Sequence, residues 1–376
     1  MKNNAAPVAG AQKQSSVTAR ARVARRIAEE VALTAKIPGM SFAIANPEGI
    51  LYAGAVGYAD LAERRASTVD DQYPWFSMSK IATATAAVRL HADGRLDLDA
   101  PIGIYLAGYR TSARRGHPTT RQLLTHTAGL ANPLPIRWVR SEGQPEDRAV
   151  VDRILRKHGA PTRPVGRRAS YSNIGYLLAG EVVEAVTGHS IQDHVRDDLL
   201  GRLGMDATGY AYQEGVPRSV GHVRANAAVV PLLRRVLPAD IVGQRVEGHT
   251  ALRPFLVSGA AYGGLVGTVT DAVRLAAAHS AGRSDRHPIL SHGDLEMMRT
   301  IGAAGKRFDH GIGWFRKPTD AHRSPAFVEH YGTGCGFWNA MRIYPGSRLA
   351  MVAMTNTTFT WNFDKFFTQL KELSWN

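Results

Sequence analysis

A hydroxyl and an amine three residues apart open the chemistry of this chain. Trp75-Phe76-Ser77-Met78-Ser79-Lys80 runs into an alanine-rich stretch, Ile81 to Leu90. On a helix, residues at this spacing share a face and their side chains meet. A serine hydroxyl is a weak nucleophile until a base takes its proton. A lysine that is desolvated, or held near another cation, is neutral and takes it. With Ser77 in a first helical turn, the positive end of the helix dipole also faces the reacting oxygen. The tetrapeptide alone equally describes a solvated lysine after a helix start, so companions matter. Tyr171-Ser172-Asn173 supplies a phenol for base or proton-relay work and an amide able to orient a lysine or a carbonyl. The bland alternative is a turn in which Asn173 caps a helix over Gly175 to Thr187. His330-Tyr331-Gly332-Thr333-Gly334-Cys335-Gly336-Phe337 holds three glycines, which let backbone approach a ligand closely or simply turn the chain into a strand over Asn339 to Tyr344.

Elements at both ends of the chain must position these groups. Val23, Ile27 and Val31 recur at helical spacing within Arg20 to Lys36, which predicts an amphipathic helix. Ser41 to Asn46 and Leu51 to Tyr58 read as strands joined through Pro47-Glu48-Gly49. From Ser77 to about residue 260 the pattern is helical with long loops, including an irregular stretch, Gly209 to Val257. Strand patterns return at Gly311 to Phe315, Phe327 to His330, Phe337 to Tyr344 and Leu349 to Asn356, before a helix over Phe363 to Leu373. A sheet begun at one end and completed at the other makes the helical part an insertion. The expected division is a disordered tail over 1–19, a sheet domain over 20–75 and 262–376, and a mostly helical inserted domain over 76–261, with the site between the two.

In this order and spacing the motifs resemble those of the serine β-lactamase and penicillin-binding-protein superfamily, most closely the class C β-lactamase-like branch that includes family VIII carboxylesterases. Ile37-Pro38-Gly39-Met40-Ser41, Leu123-Leu124-Thr125-His126-Thr127-Ala128-Gly129-Leu130, Tyr262-Gly263-Gly264-Leu265 and Met351 to Asn356 extend the likeness from Ile37 to the C-terminus. The resemblance implies an α+β, β-lactamase-like fold: an antiparallel sheet flanked by helices, with the helical insertion. It implies Ser77 as the acylated nucleophile, Lys80 and Tyr171 as the general-base pair, and Asn173 as an anchor for Lys80 or substrate. Which of Lys80 and Tyr171 accepts the proton stays open. By position, backbone N–H groups of Ser77 and Thr333 would form the oxyanion hole, beside Gly332 and His330. His126 would brace the site from behind. The family's lysine is here His330, mostly neutral near pH 7, and Tyr331 replaces a small threonine. Both changes favour an ester or amide over a β-lactam, whose carboxylate needs a charge.

Composition narrows the rest. The formal charge of +14 is carried mainly by dispersed arginines, without the aromatic–basic pattern of a nucleic-acid site, so no nucleic-acid partner is expected. The one cysteine, Cys335, excludes an internal disulfide and has no Cys–His–Asn company for thiol catalysis. No apolar run is long enough for a membrane span, and no signal-like core opens the chain, which together predict a cytoplasmic protein. No metal motif or nucleotide fingerprint occurs, so no metal and no cofactor are expected. The reading is a serine hydrolase cleaving small-molecule carboxylic esters through a Ser77 acyl-enzyme. An amidase, D-amino-acid peptidase, acyltransferase or weak β-lactamase on the same site is the alternative within enzymes. A degenerate or acyl-sensing relative is the alternative outside them. Oligomeric state has no signature here.

Overall fold

The computed structural model describes residues 7–375 apart from 110, 112, 134–137, 225–229, 239 and 286–288, and side chains throughout these except at 7–17, 232 and 236. Its centre is an antiparallel sheet with the strand order Asp309–His310, Phe315–Arg316, Val328–Gly334, Phe337–Tyr344, Leu349–Thr355, Gly39–Asn46, Gly49–Asp60, Arg65–Ala66. The sheet is thus built from both chain ends. Phe42 stands opposite Ala353 on one side and Gly54 on the other. Leu349–Thr355 is buried at every position, because helices cover both faces and no residue needs to be polar. One face packs on helices Pro7–Ala35 and Phe363–Glu372 through Ala24, Ala28, Phe42, Met351, Phe366 and Phe367. The other packs on helix Val269–Ser280 and on the chain between the two halves of the sheet, through Ala43, Val352, Ala276 and Ile81.

Three expectations need correction. The first concerns the expected tail over 1–19: residues 1–6 lie outside the described residues, but a helix already begins at Pro7. Proline is well placed at a first helical position, and the alanine, glutamine, lysine and arginine that follow outweigh Gly10 in helix preference. The second concerns that helix's inward stripe: Ile27 and Val31 pack on the core, but its fully covered members are Ala24, Ala28 and Ala32, and Val23 is exposed. Small side chains let the helix lie close on the sheet. The third concerns Gly209 to Val257, which holds short strands at Gly221–Arg224, Val242–Val246, His249–Leu252 and Phe255–Val257. Glu247 and Gly248 both have positive φ, as a two-residue hairpin turn requires. Strands this short leave little periodicity to read. Among the described residues no helix is long and apolar enough to cross a membrane.

Candidate active site

A short 3-10 turn, Phe76–Met78, feeds directly into the buried helix Ser79–Ala92. Phe76 takes φ 47°, uncommon for a residue with a side chain. Its ring is held between Phe255 and Phe337, at centroid distances of 6.2 and 6.1 Å. This kink leaves Ser77 partly exposed on a cavity of about 660 Å³, while Lys80 behind it is completely buried. The strand Val328–Gly334 lies hard against the turn. A Cβ on Gly332 would fall 1.9 Å from the Trp75 carbonyl oxygen, and one on Gly334 2.2 Å from the Phe76 ring. Glycine at both positions is therefore a steric requirement.

Lys80 Nζ has three partners: Ser77 Oγ at 3.1 Å, Asn173 Oδ1 at 2.9 Å and the Tyr262 carbonyl oxygen at 2.8 Å. Two of these, the amide and carbonyl oxygens, only accept. A neutral amine has two N–H bonds, which these two acceptors consume, so its lone pair is left for the Ser77 hydroxyl. Burial drives the lysine pKa well below 10.5. The faces of Tyr171, Tyr262 and Tyr176 lie 5.0, 5.2 and 5.4 Å from Nζ and favour the charged form. Each such contact is worth about 0.5–2 kcal/mol, against several kcal/mol for burying an unpaired ammonium, so burial prevails.

Helix Asn173–Thr187 supplies the amide. Its N-cap is Ser172, whose hydroxyl accepts from Gly175 N–H at 3.3 Å. Capping thus falls to Ser172 rather than to Asn173, and the Asn173 side chain is released for Lys80. The Asn173 backbone N–H donates to Asn132 Oδ1 at 2.9 Å. His126 accepts the Ser172 N–H at Nδ1, 3.1 Å away, and its ring lies 4.5 Å from that of Tyr171. It therefore sits behind the Tyr-Ser-Asn segment, as a brace would. Burial, reinforced by His310, Lys80 and His330, holds it neutral. Burial also pushes the Tyr171 phenol far above 10, only partly offset by its bond with Ser77. Tyr171 keeps its proton.

The opposite wall is the strand carrying the third motif. His330 is buried, and its Nδ1 lies 2.8 Å from the Tyr331 carbonyl oxygen. A carbonyl only accepts, so Nδ1 bears the proton. Burial, then Lys80, keeps the ring pKa well below 6.5. Tyr331 donates its hydroxyl to Glu329, which is paired with Arg342 at 2.6 Å, and Arg342 reaches Asp364 at 2.8 Å. The strand closes on its neighbour through a two-residue turn, Cys335-Gly336, with Gly334 opposite Phe337. In such a hairpin the closing pair exchanges both bonds, so Thr333 N–H points to the other side. On that side the next strand pairs Phe315 with Glu329, and among the described residues no strand pairs with the edge beyond.

Sequence reasoning named Ser77, Lys80, Tyr171, Asn173, His330, Gly332 and Thr333, and the structure brings all of them to this cavity or its wall. It missed the Tyr262 carbonyl, Asn132, His310, Phe308 and Phe315. The first is a backbone atom with no side-chain signature. His310 shares the cavity, 4.6 Å ring to ring from His126, and burial lowers its pKa to about 4. Among the described residues, no three metal-ligating side chains converge.

A hydroxyl facing a desolvated amine, between an antiparallel sheet and helices inserted into it, places the chain among the serine hydrolases of the β-lactamase fold. The chain belongs to the Beta-lactamase family, whose profile matches residues 21–369. It is similar to penicillin-binding protein 4 of Amycolatopsis lactamdurans, at 26% identity over 356 residues, 90% of this chain and 86% of that protein. It is also similar to esterase EstB of Burkholderia gladioli, at 25% identity over 356 residues, 86% of this chain and 87% of that protein. Among solved structures, SurE aligns with a TM-score of 0.72 at 25% identity, over 96% of this chain and 76% of that one.

Proposed function

We propose that the chain is a carboxylesterase working through an acyl-enzyme on Ser77. The observation that carries this reading is the bonding of Lys80, whose two obligate acceptors, Asn173 Oδ1 and the Tyr262 carbonyl, leave a lone pair only for the serine. Lys80 takes the hydroxyl proton as Ser77 Oγ attacks the ester carbonyl. The oxyanion that forms is met by the Ser77 N–H, one of those a helix start leaves without a partner, and by the outward N–H of Thr333. As the tetrahedral intermediate collapses, the ester C–O bond breaks. Tyr171 O–H protonates the departing alkoxide and is itself reprotonated from Lys80. Water then attacks the acyl-enzyme and gives up a proton to Lys80 through Tyr171. Ser77 Oγ recovers that proton as the acid leaves. Asn173 and His126 are positioning residues, one for the amine and one for the Tyr-Ser-Asn segment.

The neutral His330 supports esters over β-lactams, because no fixed charge stands beside the reacting carbonyl. The test is covalent. A fluorophosphonate should add once per chain, at Ser77, and nitrophenyl acetate to hexanoate should be hydrolysed. Ser77→Ala should lose the label and at least ~10³-fold in kcat/KM. Label on another serine, with Ser77→Ala still active, would overturn the reading.

A further inference from the structure

The walls around Ser77 carry no permanent charge. Lys80, His330 and His310 are all held towards their neutral forms. At the cavity's outer part this changes. Lys306, Arg307 and Lys317 line it, and among the described residues no aspartate or glutamate does. Lys306 and Arg307 are exposed and Lys317 is partly so. Two of the three are held in place by rings that line the same cavity: the Arg307 guanidinium lies 5.5 Å from the Phe308 ring centroid, and Lys317 Nζ lies 5.5 Å from that of Phe363. Two carboxylates stand nearby without lining the cavity, and the charge of Glu329 is felt by Lys317. Asp309 accepts the Gly305 N–H at 3.1 Å, and Glu329 is fully buried between Arg342 and Tyr331.

We infer that Lys306, Arg307 and Lys317 form an anion-binding rim, so that the substrate is an ester carrying a carboxylate away from the bond that is cleaved. This rests on the carboxylesterase reading and specifies its substrate class. The walls would leave a carboxylate next to the scissile carbonyl without a counter-charge. The rim would meet one at the substrate's far end, where three cations are fixed in number and two in direction.

Two matched pairs test it. On the acyl side, the mono-4-nitrophenyl ester of glutaric acid is set against 4-nitrophenyl 5-methylhexanoate, its uncharged shape match. On the alcohol side, the butanoyl ester of 4-hydroxybenzoate is set against that of methyl 4-hydroxybenzoate. At low salt the anionic member of at least one pair should show a kcat/KM roughly tenfold higher, since exposed contacts are each worth only a few-fold. The pair that shows it tells which half of the ester meets the rim. The ratio should fall towards one at about 0.5 M salt, where exposed charges are screened. It should fall likewise in Lys306→Gln/Arg307→Gln/Lys317→Gln. The salt series on the unaltered protein stands even if that variant folds poorly. A ratio of one or less in both pairs, or a preference that survives the triple variant, overturns the rim while Ser77 still takes fluorophosphonate. If Ser77 takes no label and no ester is cleaved, the carboxylesterase reading falls and the rim falls with it.

Discussion

On the wall that carries Ser77, the groups behind the hydroxyl are tied to one another: Lys80 to Asn173 and Tyr262, Asn173 to Asn132, Ser172 to His126. On the facing side, Lys306 and Arg307 stand exposed, with only a ring beneath the arginine to direct it. The contrast separates two tasks. Moving a proton demands a single geometry and a suppressed charge, which burial and obligate acceptors supply. Selecting a substrate demands charge that water still reaches, because a fully buried cation would give up its proton or need a partner. The same residue type, lysine, serves both, and its depth decides which.

The sharpest way to break this comparison is to disrupt the wired wall. Lys80→Met and Tyr171→Phe should each lose about 10³-fold in kcat/KM. The double variant should lose far less than the product, because the two pass one proton. Multiplicative losses in single-turnover assays would show that they act separately.

The next effect concerns charge at the facing wall. Nitrophenyl acetate to hexanoate should exceed a chromogenic cephalosporin by about 10²-fold in kcat/KM, since neutral His330 offers a weaker bond to a carboxylate than a lysine does. His330→Lys should narrow that gap. Measured near physiological salt, the rim cations contribute less to it than at low salt. A cephalosporin turned over as fast as the best ester would replace the esterase reading with a β-lactamase one.

The smallest effect is a pH slope in stability. Folded Lys80 has a pKa well below 10.5, so between the two values the unfolded chain holds one more proton than the folded one. Stability then rises with pH through that window, by at most about 1.4 kcal/mol per pH unit, and is penalised below it. Lys80→Met lacks this slope. In urea melts from pH 7 to 10 the unaltered protein should therefore gain on the variant. A constant difference would mean that the buried amine keeps its proton.

How much of this could be read from the residues follows the same division. Ser77, Lys80, Tyr171 and Asn173 are fixed by spacing along two helix starts, and local spacing is what a sequence displays. The cation rim comes from Lys306, Arg307 and Lys317, which share no motif and meet only because the sheet folds that stretch over the cavity. The Tyr262 carbonyl is invisible for another reason, since every residue has one. In the fold, Leu349–Thr355 read well because burial on both faces makes it almost continuously apolar. The hairpin Val242–Leu252 did not, because its strands are short and the first is only partly buried. Tyr331 does line the cavity as a bulky group, and what the sequence could not display is that its hydroxyl is tied to Glu329.

The sheet's order has a consequence for synthesis. Gly39–Asn46 emerges first, yet its partner Leu349–Thr355 is made some 300 residues later. At about 5–20 residues per second on a ribosome, the N-terminal hairpin waits on the order of 15–60 s with an apolar edge uncovered. The strand bearing His330 and Thr333 is also among the last to appear. A nascent chain would thus carry its serine and lysine long before it could cradle an oxyanion, and a chain cut short before Leu349 should be a client for chaperones rather than a feeble enzyme.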